Sequence, residues 1–175
     1  MTYNLTAIND IYLSFTLFFL LYIIYILSYS LIKGAPFAPL GRERMEAMFE
    51  LLNCEKGKKL VDLGSGDGRI IINASKYGVN AYGFEINPLL YFISKVKLRI
   101  NKTNHSNIYC KSYWGENLSS YDYITLYGTF HIMGKLEKKL LRELKPGAKV
   151  VSNHFRFPNW KEKRMKNDVW LYEKV

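Results

Sequence analysis

The feature that most constrains the fold is the stretch LVDLGSGDGRI, residues 60–70, in which an apolar run ends in three alternate glycines. Gly64, Gly66 and Gly68 let the backbone turn tightly and approach a ligand without Cβ clashes. A dinucleotide fingerprint would need glycine at position 69, which is arginine, and the Gly-Lys-Ser/Thr end of a phosphate P-loop is missing. The stretch therefore predicts a strand, a ligand-binding loop and a helix.

Strands and helices alternate along the chain around this loop. The runs that predict strands are KKLVDLG, AYGFEI, NIYCKSY, YDYITLYG, AKVVSNHF and DVWLYEKV. The runs that predict helices are RERMEAMFELL, GRIIINASKYG, PLLYFISKVKLRINK and KLEKKLLRELKPG. Such alternation indicates βαβ units with a sheet covered on both faces. We therefore predict an α/β fold with a Rossmann-like, doubly wound, mostly parallel sheet, and a loop for the polar stretch NWKEKRMKND.

A second constraint is the segment from Ile11 to Ile32, which contains no charged residue. As a helix it would be roughly 33 Å long, enough to cross a hydrocarbon core of about 30 Å. Its hydroxyl side chains can bond back to carbonyls of their own helix. A cleaved signal peptide is the alternative, but it needs a basic residue before the apolar core, and Asp10 stands there instead. Lys33, Arg42 and Arg44 follow the segment, so the positive-inside rule predicts a single-pass membrane protein with the following domain in the cytoplasm.

The sequence divides into two predicted parts. Residues 1–33 contain the transmembrane helix, over about 11–32, and residues 34–175 form the α/β domain. The stretch GAPFAPLG, residues 34–41, contains two prolines and two glycines and is interpreted as a short, stiff linker.

The net charge of +10 makes an acidic partner plausible. Basic side chains gather on the helical run PLLYFISKVKLRINK and in the carboxyl-terminal loop: Lys95, Arg99, Lys102, Lys161, Lys163, Arg164 and Lys166. The simplest interpretation is that these basic side chains are solvated and have no specific partner. Anionic lipid headgroups come next because of the membrane segment, and RNA comes third because no RNA-binding module is visible.

Acidic residues around the glycine loop indicate the chemistry of its ligand. Asp62 and Asp67 flank the loop and favour a ligand with an ammonium or sulfonium group. Glu85 ends the second strand about 20 residues after the first glycine, where a carboxylate can accept both hydroxyls of a ribose. A ribose and a cation without a phosphate describe S-adenosylmethionine. The candidate cofactor-binding residues of the loop and second strand are Asp62, Gly64, Ser65, Gly66, Gly68 and Glu85. We expect no metal, since the two cysteines match no metal-ligand spacing.

These residues also carry a resemblance to a known family. VDLGSGDGRI and GFEINP resemble motif I and the acidic post-I motif of the seven-β-strand methyltransferases. GAPFAP after an apolar helix, LKPGAKVVS and HFRFPNW resemble a small family of membrane-anchored mitochondrial lysine methyltransferases with compact archaeal relatives. The resemblance implies that Asp62, Gly64 and Gly66 hold the methionine part of the cofactor and that Glu85 holds the ribose.

The same resemblance implies that the end of the third strand, KSYWG, closes over the adenine. An acid that often contacts adenine in the family is replaced here by Ser112. Tyr113 and Trp114 can cover the ring by stacking, so both are candidate cofactor-binding residues.

The stretch LYGTFHIM after the fourth strand is predicted to be a loop that faces the transferred methyl group. It lacks the Asn/Asp-Pro-Pro-aromatic tetrad of adenine methyltransferases and the Pro-Cys nucleophile of cytosine methyltransferases. A lysine acceptor needs only to lose its proton, from a usual pKa of about 10.4, and to be aligned, which desolvation in an aromatic channel favours. Candidates for that channel, each also explained by packing, are Tyr127, Phe130, Phe155, Phe157 and Trp160, with His131 and His154 near the cofactor. No catalytic base is identified.

We therefore predict a membrane-anchored, S-adenosylmethionine-dependent protein-lysine N-methyltransferase. Its expected substrates are lysine side chains of membrane-associated proteins, because an anchor raises local concentration near the bilayer. An RNA methyltransferase and a non-catalytic assembly protein that binds S-adenosylmethionine are the alternatives. Nucleic acid is not expected as a partner.

Overall fold

The computed structural model describes residues 5–33, 38–103 and 105–175. Contacts within the chain divide it into two compact units, Met1–Lys33 and Gly34–Val175. The predicted linker begins in residues 34–37, which lie outside the described residues.

The first unit contains the helix α1, Leu5–Lys33. Its window Ile8–Tyr25 has a mean hydropathy of 1.6, and none of it is buried. The hydroxyl of Ser14 donates to the carbonyl of Asp10 at 2.8 Å, and that of Thr16 to the carbonyl of Tyr12 at 2.9 Å. By length and composition α1 is able to cross a membrane. The two hydroxyls are satisfied within the helix, as a membrane interior requires.

The second unit is a seven-stranded sheet with helices. Its strands are β1 (Lys59–Leu63), β2 (Asn80–Glu85), β3 (Asn107–Cys110), β4 (Tyr123–Tyr127), β5 (Lys149–Asn153), β6 (Arg164–Lys166) and β7 (Val169–Glu173). Its helices are α2 (Arg42–Leu52), α3 (Arg69–Lys76), α4 (Pro88–Ile100) and α5 (Phe130–Glu143), with a short 3₁₀ turn at Tyr113–Gly115. The strand order is β3-β2-β1-β4-β5-β7-β6. Strands β1 to β5 are parallel, whereas β7 is antiparallel to both neighbours, so the predicted doubly wound fold is confirmed.

Two details of the prediction are wrong. Helix α5 begins at Phe130, so the second half of LYGTFHIM is the first turn of a helix rather than a loop. The polar stretch NWKEKRMKND is not entirely a loop, since Arg164–Lys166 forms β6 and pairs with β7. The turn between these strands is Asn167 and Asp168, both with positive φ (49° and 61°), as a tight hairpin turn requires.

Gly68 ends the glycine loop where the loop meets α4 and β3. A Cβ there would lie 3.0 Å from the Cδ1 of Ile108 and 3.1 Å from both the Cδ1 of Leu98 and the Cβ of Ser94. The residue also has a φ of +79°, which L side chains rarely adopt. A side chain at this position would therefore meet both backbone strain and a filled space.

Gly68→Ala is expected to lower the free energy of unfolding by roughly 2–4 kcal/mol, from left-handed strain plus overpacking. The matched control is Gly57→Ala, which has a similar φ of +83° but no atom within 4 Å of the added Cβ. In the control the free energy of unfolding should fall only by the cost of the backbone strain, roughly 1–2 kcal/mol. Denaturant titration of the full-length variants measures both, and equal losses would contradict the packing role of Gly68.

Candidate active site

The predicted site residues gather at one edge of the sheet. The parallel strands β1 and β4 are neighbours whose connections lead to opposite sides, and the crevice at their carboxyl ends is where ligands bind in such sheets. The glycine loop follows β1, Glu85 ends β2, and Tyr127 ends β4. The topology therefore brings the cofactor candidates and the first channel candidate to the same edge.

Backbone hydrogen bonds fix the glycine loop onto β2. The amides of Gly64 and Ser65 both donate to the carbonyl of Phe84, at 3.0 and 2.9 Å, and the amide of Gly68 donates to the carbonyl of Ser65 at 2.9 Å. Gly64 is exposed, has a φ of +96°, and would place a Cβ in open space. The loop therefore leaves bare backbone open to a ligand at Gly64.

Ser65 has its side chain turned into the domain. The hydroxyl is buried, and a Cβ added at Gly83 would lie 2.6 Å from the Cβ of Ser65. Within the described part of the chain this hydroxyl has no hydrogen-bond partner. Ser65 therefore packs against β2 through its side chain.

The Glu85 carboxylate holds the glycine loop through a backbone hydrogen bond. One oxygen accepts the backbone N–H of Gly66 at 2.7 Å, and the other accepts that of Asn87 at 2.7 Å. Burial raises the pKa of Glu85, and these backbone donors act against that rise. A carboxylate has about four acceptor sites, so Glu85 keeps acceptor capacity for a ligand hydroxyl.

Asp62 is the most deeply buried acid of the site, with 2% of its surface exposed. Its Oδ1 accepts the hydroxyl of Thr125 on the neighbouring strand at 2.9 Å. Burial raises the pKa of Asp62 to about 7, and the nearby charges of Glu85 and Asp67 add to the rise. A buried carboxyl of this kind is best satisfied by a cation, because a cation restores its charged form.

Asp67 was expected to favour a cationic ligand, but its carboxylate is paired with cations of the chain itself. Its carboxylate forms ion pairs with Arg69 (2.9 Å) and Lys97 (2.6 Å), and these partners outweigh burial and lower its pKa to about 2. Arg69 also donates to the carbonyl of Leu40 at 3.1 Å. Asp67 therefore ties the loop to α3 and α4, and its negative charge is already compensated.

Tyr113 and Trp114 lie in the short turn after β3. The two rings are 5.0 Å apart, and Tyr113 is buried, which raises its pKa to about 12. Lys135 of α5 lies 4.7 Å from the centre of the Trp114 ring. The Ser112 hydroxyl accepts the backbone N–H of Trp114 at 3.4 Å, which places Ser112 at the start of the turn.

The substrate-side candidates fall into two groups. Tyr127 and Phe155 make an edge-to-face contact at 5.7 Å, and the His154 ring lies 4.8 Å from Phe155. The Nδ1 of His154 is 2.5 Å from the carboxylate of Asp168. These residues form one cluster at the carboxyl ends of β4 and β5.

The second group packs into the core. Phe157 is buried and stacks on Trp160 at 5.5 Å, and both rings contact Tyr172 of β7. The buried carboxylate of Glu137 on α5 accepts the backbone N–H groups of Asn159 (2.9 Å) and Trp160 (3.2 Å). The structure therefore places Phe157 and Trp160 in packing positions. Phe130 and His131, in contrast, are exposed in the first turn of α5.

Sequence analysis missed Asn153, the last residue of β5. It is buried, it pairs in register with Tyr127, and its Oδ1 has no hydrogen-bond partner among the described residues. Buried amides are usually satisfied, so an unpaired oxygen at a ligand-binding edge points to a group supplied from outside the chain. The available signal was a polar side chain that ends a buried strand at this edge.

Known proteins of related sequence include lysine N-methyltransferases. The family model for the ANTKMT methyltransferase domain matches residues 62–164. The chain is 36% identical over 143 residues to a lysine N-methyltransferase of Homo sapiens that is named for a subunit of ATP synthase, covering 79% of this chain and 61% of that protein. It is 30% identical over 154 residues to a protein-lysine N-methyltransferase of Saccharolobus islandicus, covering 82% of this chain and 96% of that protein. The chain thus spans about 60% of the length of the first of these relatives.

Solved structures share the fold. An RNA methyltransferase from Salinibacter ruber in complex with S-adenosyl-L-homocysteine is 28% identical, with a TM-score of 0.72, and the match covers 78% of this chain and 92% of that one. A methyltransferase from Thiobacillus denitrificans, also with S-adenosyl-L-homocysteine, is 21% identical with a TM-score of 0.58, and the match covers 66% of this chain and 49% of that one. The family match and these folds confirm the predicted class, an S-adenosylmethionine-dependent methyltransferase. The chain belongs to the family of the ANTKMT methyltransferase domain.

Proposed function

We propose that the protein is a membrane-anchored protein-lysine N-methyltransferase that modifies lysine side chains of membrane-associated proteins. The observation that carries the proposal is the 36% identity over 143 residues to a curated lysine N-methyltransferase. The name of that relative specifies a component of ATP synthase as its substrate. A second relative, from Mus musculus and 32% identical, is named for the adenine nucleotide translocase.

The residues of the site suit S-adenosylmethionine, which supplies a methyl group on a sulfonium. Asp62 is a buried carboxyl that favours a cationic ligand. Gly64 and Gly66 offer backbone to the methionine part of the ligand, and Glu85 has free acceptor positions for the ribose hydroxyls. Tyr113 and Trp114, and the backbone of Ser65 and Gly68, complete the proposed cofactor-binding set.

On the substrate side we assign the lysine channel to the cluster at the ends of β4 and β5. The Tyr127 and Phe155 rings supply apolar walls, which favour the neutral amine that attacks the methyl group. The Oδ1 of Asn153 supplies an acceptor for an amine N–H and so aligns the nitrogen. Asp168 holds the Nδ1 of His154. We therefore assign the Nε2 of this exposed ring as the acceptor of the proton that the lysine amine loses. Exposed Phe130 forms the proposed rim of the channel.

The membrane part of the proposal depends on α1. This helix is apolar and long enough to span a bilayer, and the residues after it are basic. We assign it as a single-pass anchor with the methyltransferase domain on the cytoplasmic side. Basic side chains of the domain then lie near anionic lipid headgroups.

Asn153→Leu is expected to slow methylation of a lysine peptide at least about tenfold, because the amine loses the acceptor that aligns it. The same change should keep or raise the melting temperature, since removing a buried unsatisfied group recovers about 1–3 kcal/mol of desolvation. Cofactor affinity should stay within about twofold, as the oxygen is assigned to the amine. A turnover assay, a thermal melt and a cofactor titration measure the three quantities. Unchanged turnover would remove Asn153 from the channel.

The function is tested with the detergent-solubilised full-length protein, methyl-tritiated cofactor and membranes of the source cell. Labelled material is divided and treated with protease or with nuclease, and Glu85→Ala protein serves as the inactive control. Label that is sensitive to protease and is recovered as methyl-lysine supports the proposal. Cofactor binding without label on any acceptor would instead favour an assembly protein without chemistry.

An RNA methyltransferase is the second candidate. It is favoured by the 28% identity to the RNA methyltransferase from Salinibacter ruber and by the net charge of +10. It is disfavoured by the curated lysine methyltransferases and by the missing adenine tetrad. Nuclease-sensitive label in the same experiment would replace the lysine proposal with this one.

A further inference from the structure

The outer face of α4 is apolar and exposed. Four large side chains on it keep large exposed fractions: Leu89 62%, Phe92 65%, Val96 40% and Ile100 73%. At 3.6 residues per turn these positions fall within an arc of roughly 80° along the whole helix. The opposite face, with Ser94 and Leu98, is buried against the sheet. The helix thus has one apolar side in the core and a second apolar side outside it.

Cations border this outer face. Lys95 and Arg99 lie along one side of the apolar arc and Lys97 lies along the other, while Lys102 follows in the turn after the helix. Lys95 bonds to the side chain of Asn107 at 2.7 Å and Lys97 to Asp67, so both are held in place beside the arc. The helix itself, PLLYFISKVKLRI, contains no acid. We call these four apolar and four basic side chains the α4 face.

An apolar stripe between basic borders is the pattern of a helix that lies in a membrane interface. Its apolar side chains enter the boundary between headgroups and acyl chains, and its cations meet anionic phosphates. Soluble domains rarely leave such a contiguous apolar surface in water. A second copy of the chain fits less well, since two such faces would bring together six cations that form no ion pair among the described residues, namely Lys95, Arg99 and Lys102 of each copy.

We propose that the α4 face docks on the surface of an anionic lipid bilayer, as a membrane contact separate from α1. The proposal rests on the membrane-anchored function above and narrows its substrate class. Helix α4 begins at Pro88, soon after Glu85 ends β2, and packs along β2 and β3. Its amino-terminal end therefore lies at the edge of the sheet that carries the site. When α4 lies along the bilayer, the edge of the sheet that carries the site is close to the membrane surface and opens parallel to it. The lysines within reach are then those at the bilayer surface.

Spin labelling tests the contact in the full-length protein. The label is placed by Phe92→Cys in a Cys110→Ser background, and the same background without the new cysteine measures labelling of half-buried Cys54. The control label is Lys138→Cys, an exposed position on α5. In vesicles that contain phosphatidylserine, the label at 92 should become accessible to oxygen and protected from an aqueous nickel chelate, while the label at 138 stays aqueous.

In phosphatidylcholine vesicles the label at 92 should move back toward water, because the cations lose their lipid partners; each such contact changes affinity about fivefold. An aqueous label at 92 in both kinds of vesicle would overturn the proposal. Dipolar broadening between labels at 92 would put a second copy on the α4 face and would overturn it as well.

Methylation supplies an independent readout. Phe92→Gln combined with Ile100→Gln should slow methylation of a substrate embedded in phosphatidylserine vesicles at least about fivefold, because orientation on the bilayer is lost. A soluble lysine peptide should be methylated at the rate of the unchanged protein. Met165→Gln, which removes another half-exposed apolar side chain, should change neither rate. An unchanged vesicle rate in the double variant overturns the proposal. If the unchanged protein methylates neither substrate, the proposed function fails, whereas the spin labels still decide the lipid contact.

Discussion

Glu85→Ala is expected to weaken binding of S-adenosylmethionine at least about 100-fold and to remove methyl transfer. The carboxylate accepts two buried backbone N–H groups, from Gly66 and Asn87, both at 2.7 Å. Without it these donors stay unpaired, and the proposed ribose contacts are lost too. Two charge-assisted hydrogen bonds to the ribose hydroxyls, at about 1.5–3 kcal/mol each, account for an effect of this size. Calorimetric titration with S-adenosylhomocysteine measures the affinity.

Control variants distinguish a specific loss of cofactor binding from unfolding of the protein. Glu162→Ala removes a carboxylate paired with Arg156, away from the glycine loop, and should leave affinity unchanged. Glu85→Gln should fall between the unchanged protein and Glu85→Ala, because its amide oxygen still accepts one of the two N–H groups. Circular dichroism checks that each variant is folded. Affinity within about threefold of the unchanged protein in folded Glu85→Ala would remove Glu85 from the ribose site.

Asp62→Asn is expected to have opposite effects on stability and on cofactor binding. The pKa of Asp62 is raised to about 7 from 3.8 in the folded protein. Between these two values the folded protein keeps a proton that the unfolded chain has lost, so stability falls as the pH rises toward 7. Asparagine has no proton to lose and can still accept the Thr125 hydroxyl. At pH 8 the cofactor-free variant should therefore be more stable by up to about 4 kcal/mol.

The cofactor affinity of the same variant should fall at least about tenfold, because the cation of the ligand loses its charged partner. In the unchanged protein the affinity should also fall as the pH decreases below 7, by about tenfold per unit, since protonated Asp62 attracts no cation. The affinity of Asp62→Asn should be flat over this range. Thermal melts and cofactor titrations at pH 5, 6, 7 and 8 measure both effects. A parallel pH profile in the two proteins would show that another group titrates.

Much of the candidate site could be predicted from the sequence because its arrangement depends on local chain geometry. The alternate glycines are needed for positive φ, and Glu85 is fixed in position by the length of one βα unit. Asn153 and Glu137 were not accessible in this way. The position of Asn153 depends on the register of β4 with β5. The role of Glu137 depends on a loop, distant in sequence, that returns to α5.

The missed strand β6 and the missed start of α5 have a related cause. Strand β6 is exposed along its whole length, so it has no apolar alternation to reveal it, and it exists because the Asn167–Asp168 turn returns it to β7. The first turn of α5 contains exposed Phe130 and His131, and its cap Thr129 makes no side-chain hydrogen bond. The helical apolar period becomes visible only at buried Met133.

The ion pairs of Asp67 have a consequence for the rate at which the enzyme exchanges its cofactor for the spent product. Asp67, Arg69 and Lys97 hold the glycine loop in a fixed shape through contacts made entirely within the domain. The loop therefore has little conformational entropy left to lose when a ligand arrives, and little order to surrender when a ligand leaves. Loop opening does not need to precede either event. We expect cofactor arrival and product departure to proceed without a slow conformational step, so that turnover is set by how fast a lysine is presented to the site.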